Sequence, residues 1–159
     1  MKKTITIMVA LLISLCSYAQ TDTTKTKLKP YLSVGLSIGH VDPSDDAINT
    51  FNKASYPSIE GGVMGKNVSL GLVLGYENLF VTSTTRPFFE LKTSVSKSIA
   101  DAVSLYGLFG VGAYGESGLP VFIEYGAGFC YMPNSLGYFV QYSNWSRTNY
   151  VSVGLTKSF

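Results

Sequence analysis

Tyr150-Val-Ser-Val-Gly-Leu-Thr-Lys-Ser-Phe159 closes the chain, and its reading decides the fold. Val151, Val153 and Leu155 alternate with Ser152, Gly154, Thr156 and Ser158. Successive side chains of a strand point to opposite faces, so one face is apolar and the other small or polar. The greasy set runs on to an aromatic, Phe159, at a position where a water-soluble chain is expected to fray into solvent. A strand with an apolar face to its very end asks what covers that face.

Upstream, the same alternation predicts seven more strands. Tyr31–Gly39 sets Leu32, Val34, Leu36 and Ile38 against Ser33, Gly35, Ser37 and Gly39. Tyr56–Met64 sets Ile59 and Val63 against Ser58, Glu60 and Gly62, and Val68–Tyr76 sets Val68, Leu70, Leu72, Leu74 and Tyr76 against Ser69, Gly71, Val73 and Gly75. Pro87–Lys97 carries Phe89, Leu91, Thr93 and Val95 opposite Phe88, Glu90, Lys92, Ser94 and Ser96. Val103–Tyr114, Val121–Tyr131 and Leu136–Ser143 repeat the pattern. His40–Ala54 and Glu77–Arg86, rich in Asp, Asn, Ser, Thr and Pro, predict long loops, and residues 65–67, 98–102 and 133–135 predict tight turns.

Charged residues make up only 14% of the chain and aromatics 13%, with 16 Gly, 11 Tyr and a net charge of +2. That is little charge for a domain solvated on every side, and no basic stripe suits nucleic acid. Met1-Lys2-Lys3, the apolar run 5–15 and Ser17-Tyr18-Ala19 read as a signal peptide over 1–19. The apolar run is shorter than a bilayer-spanning helix needs, and Leu15 before Cys16 argues against a lipoprotein signal. Residues 20–29 read as a flexible periplasmic lead-in, and 30–159 as one barrel domain. Cys130 is then the single thiol, which leaves no disulfide framework. A greasy exported chain without a spanning helix is reconciled by a closed barrel, in which lipid-facing residues are diluted by lumenal ones.

The prediction is all-β: an eight-stranded antiparallel up-and-down transmembrane β-barrel. The closing stretch resembles the terminal strand of bacterial outer-membrane barrels, whose pattern is polar, any, Gly, any, any, apolar, any, aromatic. In that family the closing aromatic forms part of the assembly signal; Ser152, Gly154 and Phe159 match the pattern, which the resemblance implies makes this the assembly-signal strand, and Lys157 stands where an apolar residue is expected. In strand count and size the chain is similar to the small OmpA/OmpX-type barrels. The resemblance implies the outer membrane of a Gram-negative bacterium, with outer-membrane lipid and the barrel-assembly machinery as partners. Tyr31, Tyr56, Tyr76, Phe89, Tyr114, Tyr131, Tyr138 and Tyr150 near strand ends resemble interfacial aromatic girdles. The competing architecture is a soluble periplasmic barrel of lipocalin type, with the greasy set turned inward.

Glu60, Glu90, Lys92 and Glu124 fall on the inward register, with Arg86 near the rim. An eight-stranded barrel is just wide enough for side chains to fill, so this cluster predicts a plugged core of ion pairs and hydrogen bonds centred on Lys92. Its functional alternative is a narrow path for small solutes or protons. His40, the sole histidine, sits beside Asp42, Ser44, Asp45 and Asp46 in the first loop, in no spacing that assembles a base and a nucleophile. The acids there lack the twelve-residue calcium pattern, and the glycines of 107–118 lie in strand alternation, which is no dinucleotide loop. The expected protein is not an enzyme and has no cofactor and no metal. Its role is structural or in surface interaction, through a first loop whose partner the sequence does not name.

Overall fold

The computed structural model describes residues 27–41, 53–79, 83–115, 120–145 and 148–159. Eight strands follow one another in chain order: β1 (Lys29–Val41), β2 (Lys53–Met64), β3 (Val68–Leu79), β4 (Thr84–Ala100), β5 (Val103–Tyr114), β6 (Val121–Tyr131), β7 (Leu136–Trp145) and β8 (Thr148–Ser158). Each pairs antiparallel with the next, and β1 pairs with β8, so the sheet closes. Closure leaves no open edge, and every strand finds a ladder on both sides. The seam runs from Tyr31 opposite Ser158 to Val41 opposite Thr148, with the Phe159 N–H donating to the Pro30 carbonyl at 2.9 Å.

All eight predicted strands are present, and several are longer than the alternation indicated. β2 starts at Lys53, β3 continues to Leu79, β4 spans Thr84–Ala100 and β7 reaches Trp145. The first two loops are correspondingly shorter than predicted. The reason is that cross-strand partners recruit residues whose own character reads as loop, as where Thr85 pairs with Asn78 and Arg86 with Glu77. The expected signal peptide, most of the expected lead-in and the acids of the first loop lie outside the described residues.

Connections 65–67, 101–102 and 132–135 gather at one end of the barrel, here the short-turn end; at the other, here the long-loop end, β1, β3, β5 and β7 finish and β2, β4, β6 and β8 begin. At the β4–β5 turn the register shifts between Ser98 and Ala100, and Ala102 takes a left-handed φ of 64°.

The faces are sorted inside out. Leu32, Val34, Leu72, Leu74, Phe109, Ile123, Val140, Val151 and Val153 are all exposed on the outer wall, while Ser37, Glu90, Glu124, Gln141, Ser143 and Ser152 are buried within. A continuous belt of this kind far exceeds the apolar patch that a soluble monomer exposes. The lipocalin-like alternative required the opposite sorting and is excluded. Of the eight aromatics expected in a girdle, Tyr76, Phe89, Tyr131 and Tyr138 face outward, but Tyr31, Tyr56, Tyr114 and Tyr150 are buried in the lumen. Parity explains the difference: Tyr56 shares a register with Ser58 and Glu60, and Tyr150 with Ser152 and Gly154.

Candidate functional site: a lumen in two halves

Large inward side chains fit this narrow lumen because glycines on neighbouring strands make room for them. Phe139 lies over Gly154, where an added Cβ would come within 2.5 Å of its ring and 2.2 Å of the Val34 carbonyl oxygen. Glu90 leans over Gly110 in the same way, and Tyr31 and Glu60 over Gly71. Alternating bulk and glycine around the wall thus fixes where each lumenal group ends up.

Toward the long-loop end the lumen is filled by rings. Trp145 is stacked on Tyr56 at 4.5 Å between centroids and on Phe122 at 4.4 Å, while Phe88 and Tyr150 close on it at 4.8 and 5.2 Å. Tyr114 packs on Phe122 and completes the plug. Above it, Glu77 on β3 accepts hydrogen bonds from Arg86 on β4 and from the Tyr150 hydroxyl. The Arg86 guanidinium lies 4.1 Å above the Tyr114 ring, a cation–π contact that ties the ion pair to the plug. The sequence predicts Glu77 in a loop and Trp145 beyond its strand. Parity carried past Gly75 and Ser143 was the signal that finds them, since both continue the inward register.

At mid-height the structure brings Glu60, Glu90, Lys92 and Glu124 into one cluster. Lys92 Nζ is 2.7 Å from Glu60 Oε2, and the Tyr31 hydroxyl donates to Glu60 Oε1. Glu124 accepts from Gln141 Nε2 at 3.2 Å, and the Tyr106 hydroxyl donates to Gln141 Oε1 at 3.3 Å. Glu90 and Glu124 are fully buried and adjoin each other, and Glu124 also adjoins Ser143 and Trp145, though Glu90 makes no direct hydrogen bond of good geometry. The cluster gathers three carboxyls around one ammonium, with Lys92 as its hub.

Below the cluster a cavity of about 240 Å³ opens toward the short turns. Its wall includes Ser33, Ser69, Ser94, Tyr106, Gln141 and Cys130, and Glu60 and Lys92 form its floor. Ser33 donates to Thr156, and Ser69 pairs with Ser94, each at 2.7 Å. The lumen is therefore a hydroxyl-lined vestibule at one end and an aromatic stopper at the other.

The remaining candidate residues are scattered. His40 is exposed near the end of β1, beside Lys53 and Asn149 in register, on the outward parity it shares with Ile38. Ser152 faces the lumen and hydrogen-bonds with Ser37 at 2.6 Å; Gly154 serves the packing of Phe139; Phe159 is exposed at the short-turn rim. Among the described residues no group of His, Cys, Asp and Glu is arranged to hold a metal ion.

No protein-family model and no curated protein matches the chain. Its fold does match solved structures. The N-terminal β-barrel domain of Pseudomonas aeruginosa OprF aligns over 84% of this chain and 100% of its own, with a TM-score of 0.58 and 11% identity. A de novo designed transmembrane β-barrel covers 81% and 95%, with a TM-score of 0.55 and 20% identity. Neisserial surface protein A covers 83% and 97%, with a TM-score of 0.54 and 9% identity. The fold is that of the small eight-stranded transmembrane barrels of bacterial outer membranes.

Proposed function

We propose that the protein is a non-enzymatic outer-membrane barrel with a closed lumen, which anchors its longest connection, residues 42–52, at the cell surface. The apolar outer belt supports the membrane location, since strands of 10–17 residues suit a tilted barrel crossing, for which about 9–11 suffice. Short turns belong on the periplasmic side of such barrels and longer loops outside. The stopper centred on Trp145 carries the reading: it fills the lumen at the end where β1, β3, β5 and β7 finish. A path for solutes would have to pass Tyr56, Phe88, Phe122 and Trp145, all buried against one another.

Planar-bilayer recording of the purified barrel is the test. The closed-lumen reading expects no steady single-channel steps from the natural sequence. It expects steps to emerge when Trp145 and Phe122 are both replaced by Ala, because that empties the stack. Regular steps from the natural sequence would assign the protein to the narrow-channel class instead.

A further inference from the structure

Lys157 departs from the closing-strand pattern, and its surroundings explain how. It lies on the lipid-facing register of β8, between Leu155 and Phe159 on its own strand and level with Leu32 and Leu136 on the two flanking strands, all four exposed and apolar. Lys97 on β4 repeats this arrangement between exposed Val95 and Ile99, level with Leu105 on β5. β4 and β8 are four places apart in a ring of eight, so the two lysines stand on opposite walls. Lys29 at the start of β1 and Lys66 in the β2–β3 turn are exposed on the arc between them. Among the described residues Asp101 is the one acidic side chain on the surface of this rim, and none of the four lysines forms an ion pair. The other arc, β5 to β7, presents Tyr131, Leu136 and Tyr138 at this level and no lysine.

An ammonium inside an apolar belt is tolerated only near its edge, where the aliphatic stem stays in hydrocarbon and the charge reaches the headgroups. Lys157 Nζ is 5.3 Å from the centre of the Phe159 ring, which turns it toward that edge. Lipid phosphate is the counter-charge within reach of a side chain so placed.

We propose that the half-rim from β8 through β1 to β4 binds the anionic phospholipid headgroups of the periplasmic leaflet, with Lys97 and Lys157 as the two wall sites. This rests on the membrane-barrel reading; a protein that failed to insert into zwitterionic vesicles would defeat that reading first and separately. The test is native mass spectrometry of the full-length mature barrel released from vesicles of phosphatidylcholine with phosphatidylglycerol. The natural sequence should retain phosphatidylglycerol over phosphatidylcholine by roughly fivefold for each engaged lysine. The double variant Lys97→Gln, Lys157→Gln should lose the preference while remaining heat-modifiable on gels, and Lys53→Gln at the opposite end should keep it. If the double variant does not fold, high salt replaces it and should erase the preference of the natural sequence. The proposal is overturned if the natural sequence shows no headgroup preference, or if the preference survives the double variant or high salt. Lysine-dependent co-sedimentation with peptidoglycan sacculi, in place of phosphatidylglycerol binding, would overturn it equally.

Discussion

Lys92 faces Glu60, Glu90 and Glu124 alone, and that imbalance decides which substitution hurts. Lys92→Gln leaves three carboxyls near one another without a cation, and breaking such a buried pair costs about 3–5 kcal/mol. Glu60→Gln still leaves the ammonium near Glu90 and Glu124, and its expected cost is nearer ~1 kcal/mol, that of a weakened hydrogen bond. Urea unfolding in vesicles measures both, and equal losses would contradict the hub role of Lys92. Gly154 makes a second residue-scale case. An Ala there meets the Val34 carbonyl at 2.2 Å, which is backbone and cannot swing aside, so Gly154→Ala should cost about 1–3 kcal/mol. Trimming Phe139 to Leu in the same chain should not recover that loss, whereas recovery would show that the ring, and not the backbone, sets the limit.

At the scale of elements, β8 joins a lumenal face to a lipid-facing one, and Phe159, the residue that follows it, does little inside the barrel. The Phe159 side chain is 64% exposed, so deleting Phe159 should change the unfolding midpoint of the refolded barrel only slightly. If the resemblance of the closing strand to an assembly signal has functional content, the same deletion should sharply lower the amount inserted in cells. A parallel fall in both readouts would make Phe159 a stability residue and not a signal. The strands also show what the sequence makes legible. β3 is plain because Leu70, Leu72 and Leu74 oppose Gly71, Val73 and Gly75, a contrast that needs no partner to be seen. Its end is not plain, because Glu77 and Asn78 owe their strand conformation to Arg86 and Thr85 across the ladder. The lumenal placement of Glu60, Glu90, Lys92 and Glu124 follows from period two alone. Their contacts do not: Glu60 reaches Lys92 from a strand two places away in the ring, and only closure at a fixed stagger decides such a meeting. The stopper is not legible in the sequence for a related reason, since Tyr56, Phe88, Phe122, Trp145 and Tyr150 come from five strands and form no local pattern.

For the whole molecule, one spatial arrangement matters most: apolar side chains meet lipid, and the lumen at the long-loop end is sealed by rings. The chain has a single tryptophan, and it is the centre of that seal. Its fluorescence therefore reports on both halves of that arrangement at once. In vesicles Trp145 should be shielded from acrylamide in water and from brominated acyl chains in the bilayer, and unfolding in urea should expose it to acrylamide. A lipid-facing reference, Tyr125→Trp combined with Trp145→Phe, should be quenched strongly by the brominated chains, because Tyr125 is exposed on the outer wall. Quenching of Trp145 by brominated lipid to the level of that reference would contradict the sorting of the two faces, and ready quenching by acrylamide in the folded protein would contradict the seal.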